Sequence, residues 1–552
     1  MANTVASTPA DSRTDWTRLG LIRTEAFRPI PEGPRSVPEV IDYALANWPD
    51  KVALIGRHAQ YTYREMAEEI AAATSAMQAL GVRTGDRVAA TTANHAEVVI
   101  AYFAAQALGA IWIGINRSLA APEKRFILED CGANFYFAEQ AAVEQIAPLR
   151  ETLPELRAVI DMEPGDENSS WAKLLGQHRG DPPRTDPVDP YAPAAIAYTS
   201  GTTGRPKGVV HSQHNIVLVG AMGRLAGRGR AVGVERGGVA LPITILNLMI
   251  LGPVAAFQNG RTCILMDRID TLGLAEWIKN AQIETFAAVP TMIYDLMTNP
   301  AVKPEDLVSL KAPGVGAAAM PDSFRDLYRQ RFGRELGTGY GLTEAPTGVT
   351  GTDPEAPFVP GSCGQPLKHL RLSIQDAEGN ALPAGESGEI CVSGATTGEF
   401  AGLYTPMLGY WRRPEATAEA LRDGWLHTGD IGRLDGQGNL FVEGRRNDVI
   451  LRGGSNVYPA EVERVLHMDE RVASCAVVGK PDIRLGELVV AFVQPAPGTE
   501  PNETFLDELK SICTDNLARY KIPEEWILVS EMPRNAMNKI VKGALKDQYF
   551  NA

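Results

Sequence analysis

The chain has 552 residues, 44% of them hydrophobic and 22% charged, with a formal net charge of −14. That length exceeds one ordinary domain of ~100–200 residues, and the composition is that of a folded chain with apolar material for one large core and a smaller one. An acidic chain without a basic block excludes a general nucleic-acid binder, because phosphate backbones reward clustered Lys and Arg.

The opening stretch, Met1 to Arg13, is polar and lacks the basic-then-apolar order of a signal peptide. Six cysteines (Cys131, Cys263, Cys363, Cys391, Cys475, Cys513) show no short repeated spacing. That scatter suits neither a zinc site nor a disulfide framework and predicts a reducing compartment, hence a cytoplasmic protein. Thr62–Leu80 has helical spacing, with Tyr63, Met66, Ile70 and Ala73 on one face and Gly81 as a stop. Arg87–Ala90 then reads as a strand.

Two apolar runs, Val98–Ile115 and Val239–Phe257, approach the length of a membrane span. The first, whose one polar residue is Gln106, breaks at Gly109 and turns β-like at Ile111–Ile115; the second carries Pro242, Gly252 and Pro253. Both therefore read as buried helix–strand units of an α/β core, with no transmembrane segment. The alternation of helix, turn and strand through the first four hundred or so residues argues for parallel or mixed sheets with covering helices. A polar, charged stretch at Gly444–Asp448 then introduces a different pattern. Ala460–Leu466 and Thr504–Asn516 look helical, and Val472–Val478 and Leu488–Val493 look like strands. The expected organisation is a large α/β domain over residues 1–444 and a small, mobile α+β domain over 445–552.

The strand-like Ala194–Ala197 runs into Tyr198-Thr199-Ser200-Gly201-Thr202-Thr203-Gly204-Arg205-Pro206-Lys207-Gly208. Glycines let backbone approach a ligand closely, hydroxyls and free N–H groups donate, and Lys207 supplies positive charge, so the run reads as an anion cradle. It is not the common P-loop, because Pro206 stands where that motif needs Gly before its Lys. A dinucleotide-like match at Gly314-Val315-Gly316-Ala317-Ala318-Ala319 lies between Pro313 and Pro321 and shows no clear passage from strand into helix.

Together with this cradle, four more segments resemble the adenylate-forming enzymes, the superfamily of acyl-CoA synthetases, peptide-synthetase adenylation domains and firefly-type luciferases. They are Gly339-Tyr340-Gly341-Leu342-Thr343-Glu344, Trp425-Leu426-His427-Thr428-Gly429-Asp430, the junction Gly444-Arg445 with Gly453–Glu463, and Arg534–Lys542. The likeness covers nearly the whole chain in the family's order and points to the acyl-CoA synthetase branch. It implies a soluble ligase that uses ATP, Mg²⁺ and CoA to convert a carboxylic acid, through an acyl-adenylate, to a thioester.

By that resemblance, Thr199, Ser200, Gly201, Thr202, Thr203, Gly204 and Lys207 handle phosphate, with Thr202 and Glu344 serving Mg²⁺. Thr343 binds the α-phosphate, Tyr340 stacks on adenine between Gly339 and Gly341, and Gly316, Ala317 and Ala318 border that base. Asp430 accepts the ribose hydroxyls, as an acceptor-only carboxylate should, and Arg445 adds a donor. Lys539 is the implied catalytic cation between carboxylate and α-phosphate, although Asn538 stands where relatives have Gly. Asn447 occupies the hinge position, and rotation there would bring Gly453, Gly454 and Tyr458 to the site as part of a thiol tunnel.

The segment after Leu241 lines the acyl pocket in relatives. Ile243, Ile245, Asn247 and Leu248 carry no charge, and Thr291 and Met292 are further pocket candidates. A charged substrate tail would need a buried partner, so the expected acid is aliphatic, medium- or long-chain, branched or alicyclic. Because the chain ends at Ala552 soon after the lysine motif, CoA is the expected acceptor. An aryl-acid CoA ligase, a stand-alone ligase serving a carrier protein, and a non-catalytic nucleotide-binding protein are the alternatives. Oligomeric state is left open.

Overall fold

A computed structural model of the chain describes residues 16–199, 206–225, 234–311, 313–315, 322–333, 336–353, 356–357, 359–445, 448–452, 455–482, 485–517, 519–535 and 540–550. Two large sheets form the body. A seven-stranded sheet has the order Gly409–Tyr410, Lys207–Ser212, Pro193–Thr199, Ile111–Gly114, Arg87–Thr91, Phe135–Ala138, Ala158–Asp161. Its strands are parallel from Pro193–Thr199 onward, and the two at the other edge pair antiparallel. The six-stranded sheet runs Gly314–Val315, Thr285–Ala288, Arg236–Val239, Thr262–Leu265, Val52–Ile55, Gln60–Thr62. It is parallel apart from the last pair.

Local sequence explains the elements between them. Helix Tyr63–Ala79 starts on a capping box: the Glu65 N–H donates to Thr62 Oγ1 at 3.2 Å, and the Thr62 N–H to Glu65 Oε2 at 2.7 Å. The first apolar run folds as helix Ala96–Ala107, a left-handed turn at Gly109 (φ 67°), and strand Ile111–Gly114. Gln106, its one polar residue, is fully buried and satisfied. It donates to the Ala194 carbonyl at 2.9 Å and accepts from Gln213 at 2.6 Å.

The second run leaves strand Arg236–Val239, turns at Pro242–Ile245, and continues through Leu246–Met249 into a π-turn at Ile250–Val254. Pro253, which has no N–H to donate, sits inside that wide turn. Asn94 pins the segment by donating to Val239 and Leu241 carbonyls (3.1 and 3.0 Å) while accepting the Ile243 N–H at 3.0 Å. Gly114 packs so closely on it that a Cβ there would overlap the Thr244 carbonyl oxygen. Among the described residues, no helix is long and apolar enough to cross a membrane.

A third, antiparallel sheet of five strands contains Leu370–Gln375, Gly388–Gly394, Leu421–Arg422, Trp425–Leu434 and Leu440–Arg445. Beyond it lies a small unit with its own core, including Val462, Val465, Val477, Val489 and Leu509. Strands Val472–Asp482 and Gly486–Pro495 form its centre, with Glu525–Leu528 parallel to the latter. Helices Pro459–Leu466, Glu503–Asn516 and Lys542–Phe550 complete it. The mixed α/β body with a smaller α+β partner matches the expected fold class.

One segment differs from its reading in the sequence. Gly314–Val315, the first two residues of the dinucleotide-like run, form an edge strand and helix Asp322–Phe332 follows, with residues 316–321 between them outside the described residues. Flanking prolines obscure a strand only two residues long. All six cysteines are free and five are buried. Burial raises every one of their thiols, those of Cys131 and Cys391 to about 12 and that of Cys513 to about 11.

Candidate active site

The cradle closes a β-hairpin. Strands Pro193–Thr199 and Lys207–Ser212 pair antiparallel, with Thr199 opposite Lys207 and Tyr198 opposite Gly208. Ser200, Gly201, Thr202, Thr203 and Gly204 lie outside the described residues. Tyr198 belongs to the stem: its hydroxyl donates to Asp130 at 2.7 Å, and Asp130 is also paired with Arg413 at 2.6 Å. Lys207 holds its ammonium 5.2 Å from the centre of the Tyr410 ring.

Against this hairpin edge lies the turn Gly339–Glu344, which is irregular backbone and not a helix start. The Tyr340 carbonyl accepts the N–H groups of Val349 and Thr350 at 2.8 and 3.1 Å. Its N–H donates to Thr350 Oγ1 at 3.0 Å. Gly339 packs so tightly on the Thr350 carbonyl that a Cβ would lie 2.7 Å from its oxygen. At the far end of the turn, Glu344 Oε1 accepts the Tyr410 hydroxyl at 2.9 Å. His211 Nε2 donates to the Thr343 carbonyl at 2.8 Å.

That bond fixes the His211 tautomer, and Asn215 Nδ2 approaches His211 Nδ1 at 3.4 Å from the other side. Asn215 in turn donates to the Pro406 carbonyl at 2.9 Å and accepts from Thr405 at 2.5 Å. Burial depresses the His211 imidazole to about 4, so it is neutral near pH 7.

At the near end of the turn, the Tyr340 hydroxyl donates to Asp430 Oδ2 at 2.5 Å. Asp430 is buried on strand Trp425–Leu434, and its backbone is Arg445's cross-strand partner. Glu389 on the neighbouring strand sets the approach to Asp430. One carboxylate oxygen accepts the Gly429 N–H at 3.0 Å and the other meets His427 Nδ1 at 3.0 Å. Cys391 Sγ stands 3.4 Å from that nitrogen, so a Glu–Cys–His cluster with a buried thiol lies behind the Asp430 turn.

Tyr340, Thr343, Glu344, Lys207 and Asp430 are therefore gathered into one region by the hairpin, the turn and the antiparallel sheet. Of the pocket candidates, Ile243 is wholly buried, Ile245 and Leu248 are half-buried, and Asn247 is exposed with Leu251 four residues on. Met292 packs on the core beside the six-stranded sheet. Tyr458 is half-buried and precedes helix Pro459–Leu466. Gly316, Ala317, Ala318, Asn447, Gly453, Gly454 and Lys539, and the side chains of Thr291 and Arg445, fall outside the described residues.

Comparison with known proteins agrees with this architecture. Residues 41–411 match the family profile "AMP-binding enzyme", and residues 461–539 match "AMP-binding enzyme C-terminal domain". The chain is 33% identical over 501 residues to "Fatty acid--[acyl-carrier-protein] ligase ScoC" of Streptomyces coeruleorubidus, covering 89% of this chain and 92% of that one. It is 34% identical over 526 residues to "3-[(3aS,4S,7aS)-7a-methyl-1,5-dioxo-octahydro-1H-inden-4-yl]propanoyl:CoA ligase" of Mycobacterium tuberculosis, covering 93% and 99%. The solved anthranilate CoA ligase AuaEII, in complex with anthranoyl-AMP, superposes with a TM-score of 0.82 at 26% identity, covering 94% and 98%. The chain belongs to the AMP-binding enzyme family, whose members are adenylate-forming ligases.

Proposed function

We propose that this protein joins an apolar carboxylic acid to the α-phosphate of ATP, expels pyrophosphate, and transfers the acyl group to CoA with release of AMP. One observation carries the reading. The turn Gly339–Glu344 touches the buried Asp430 carboxylate through Tyr340 at one end, and the Lys207–Tyr410 pair through Glu344 at the other. An acceptor-only carboxylate and a cation-bearing phosphate hairpin thus flank one short turn, as the ribose and phosphate ends of a nucleotide require.

Two anions must meet in the first step, so placement and charge compensation matter more than a protein nucleophile. Asp430 receives the ribose hydroxyls, the Tyr340 ring faces the base, and Thr343 offers a hydroxyl to the α-phosphate. Lys207 and the segment 200–206 take the β- and γ-phosphates. Lys539, carried on the small unit, bridges the substrate carboxylate and the α-phosphate. The hydroxyl and carboxylate oxygens of Thr202 and Glu344 are the hard donors Mg²⁺ prefers, and the ion supplies charge neutralisation along the phosphates. For the second step, 445–552 rotates about Asn447, withdrawing Lys539 and presenting Gly453, Gly454 and Tyr458 to the thiol.

The half-buried Ile245 and Leu248, with Leu251 beyond them, favour an aliphatic or alicyclic acid. A relative named for a bicyclic propanoyl substrate supports the alicyclic form. A relative named for a carrier protein keeps acyl transfer to such a partner as a second reading. The test is an acid panel with ATP and either CoA or holo-carrier protein, scored by thioester mass. Acid-dependent thioester with CoA is the expected result. No acid-dependent pyrophosphate exchange across the panel would refute the enzymatic reading, and thioester on the carrier alone would replace the acceptor.

A further inference from the structure

Tyr410 belongs to none of the motifs that mark the site, yet it touches both charged groups at its phosphate end. Strand Gly409–Tyr410 is the edge of the seven-stranded sheet and pairs with Lys207–Ser212, with Tyr410 opposite Val209. Side chains directly opposite in a ladder share a face, as do residues two apart on one strand. Lys207, Tyr410 and His211 therefore stand side by side, and all three meet something at the site. Lys207 lies over the Tyr410 ring at 5.2 Å, Tyr410 donates to Glu344 at 2.9 Å, and His211 donates to the Thr343 carbonyl at 2.8 Å. The Tyr410 backbone is itself held, its N–H donating to Thr417 Oγ1 at 2.8 Å.

We propose that Tyr410 is a positioning residue for the metal–nucleotide step. Its hydroxyl fixes the Glu344 carboxylate in one rotamer and occupies one oxygen, leaving the other to face a divalent cation. Its ring face steadies the Lys207 ammonium beside that carboxylate by a cation–π contact. One phenol thereby sets the spacing between the group that holds the metal and the group that holds the terminal phosphates. A freely rotating Glu344 would have to be ordered each time the metal–nucleotide complex bound, and that cost would appear as weaker metal affinity. The inference rests on the proposed reading of Glu344 as a metal-holding residue, and the experiment separates the two.

Mn²⁺ binding is titrated by EPR in the presence of a non-hydrolysable ATP analogue, alongside metal-free binding of that analogue. Wild type is compared with Glu344→Gln, Tyr410→Phe, Tyr410→Leu and the double variant Glu344→Gln/Tyr410→Phe. Tyr410→Phe keeps the ring and should weaken Mn²⁺ binding about 10–100-fold, the usual scale for losing one hydrogen bond to a charged group. Its metal-free nucleotide affinity and melting temperature should stay at the wild-type values. Tyr410→Leu should lose metal-free nucleotide affinity as well, because Lys207 loses its ring. In the Glu344→Gln background, Tyr410→Phe should add no further loss, since two residues acting through one contact are not additive.

Wild-type Mn²⁺ affinity in Glu344→Gln would overturn the reading of Glu344 itself. Weak binding in Glu344→Gln with wild-type binding in Tyr410→Phe would overturn the role given to Tyr410 alone. Equal loss of metal-free and metal-bound affinity in Tyr410→Phe, with a lowered melting temperature, would mark a packing residue and also overturn it.

Discussion

Tyr340 and Asp430, ninety positions apart in the chain, meet through a hydroxyl-to-carboxylate hydrogen bond of 2.5 Å. The bond ties the turn that ends in Glu344 to the antiparallel sheet that carries Asp430. It also orients a buried carboxylate whose proposed partners are two ribose hydroxyls. Tyr340 thus has a second task besides the adenine stacking expected of it.

Removing only that hydroxyl tests the task. Tyr340→Phe should raise the KM for ATP about 10–100-fold, the usual scale for losing one hydrogen bond to a charged group. The KM for the acid and the melting temperature should change little. Asp430→Ala should be more severe, because it removes the proposed ribose acceptor itself. Steady-state kinetics with ATP varied at saturating acid make the comparison.

Lys539→Ala should abolish acid-dependent ATP–pyrophosphate exchange while leaving thiolysis of supplied acyl-adenylate largely intact. A cation that stabilises only the first transition state affects only the first step. Equal loss of both half-reactions would show that Lys539 serves binding or folding in general.

The buried imidazole of His211 gives stability a pH dependence. Its ordinary value of 6.5 is depressed to about 4, so the unfolded chain binds this proton more readily than the folded one between those values. Stability contributed by keeping His211 neutral is complete above about pH 6.5 and falls as pH drops toward 4, by on the order of 3 kcal/mol. Burial shifts His214 in the same direction. His211→Gln retains a donor for the Thr343 carbonyl but does not titrate. Its melting temperature should therefore decline less steeply than the wild type's between pH 6.5 and 4, which calorimetry at a series of pH values measures.

Gly114→Ala should destabilise by about 3 kcal/mol, because backbone meets backbone and no flexible side chain can give way. The new Cβ would press on the Thr244 carbonyl, displacing the segment that leads to Ile245 and Leu248. A lowered melting temperature together with an altered acid profile is the expected signature. A fall in melting temperature with an unchanged acid profile would detach Gly114 from the pocket.

Much of this architecture is legible in the amino-acid sequence. Thr62 and Glu65 mark the start of a helix because a capping box needs only residues three apart. The break at Gly109 and the β-like Ile111–Ile115 argue against a membrane span in the first apolar run, and the fold gives its one polar residue, Gln106, two buried hydrogen bonds. Motifs of adjacent residues, such as Gly339–Glu344, point to the site for the same local reason. Tyr410 and His211 do not stand out in the sequence, because their roles come from sheet pairing and from a turn more than sixty residues distant from either. Ile243 reads as a pocket wall and lies wholly in the core, since an apolar residue has the same signature facing a ligand or facing packed side chains. The edge strand Gly314–Val315 is too short to leave a period-two pattern.

The six raised thiols bear on the chemistry in a further way. An acyl-adenylate is a strong electrophile, and of the two forms of a cysteine only the thiolate attacks it readily. With all six cysteines free and five of them buried, the protein keeps its own sulfur protonated while the proposed anhydride forms. Self-acylation at cysteine is thereby suppressed, and under the proposed reading an incoming pantetheine thiol meets no rival sulfur from the protein. Mass spectra of the peptides taken during slow turnover without acceptor should show no acyl thioester on any of the six cysteines.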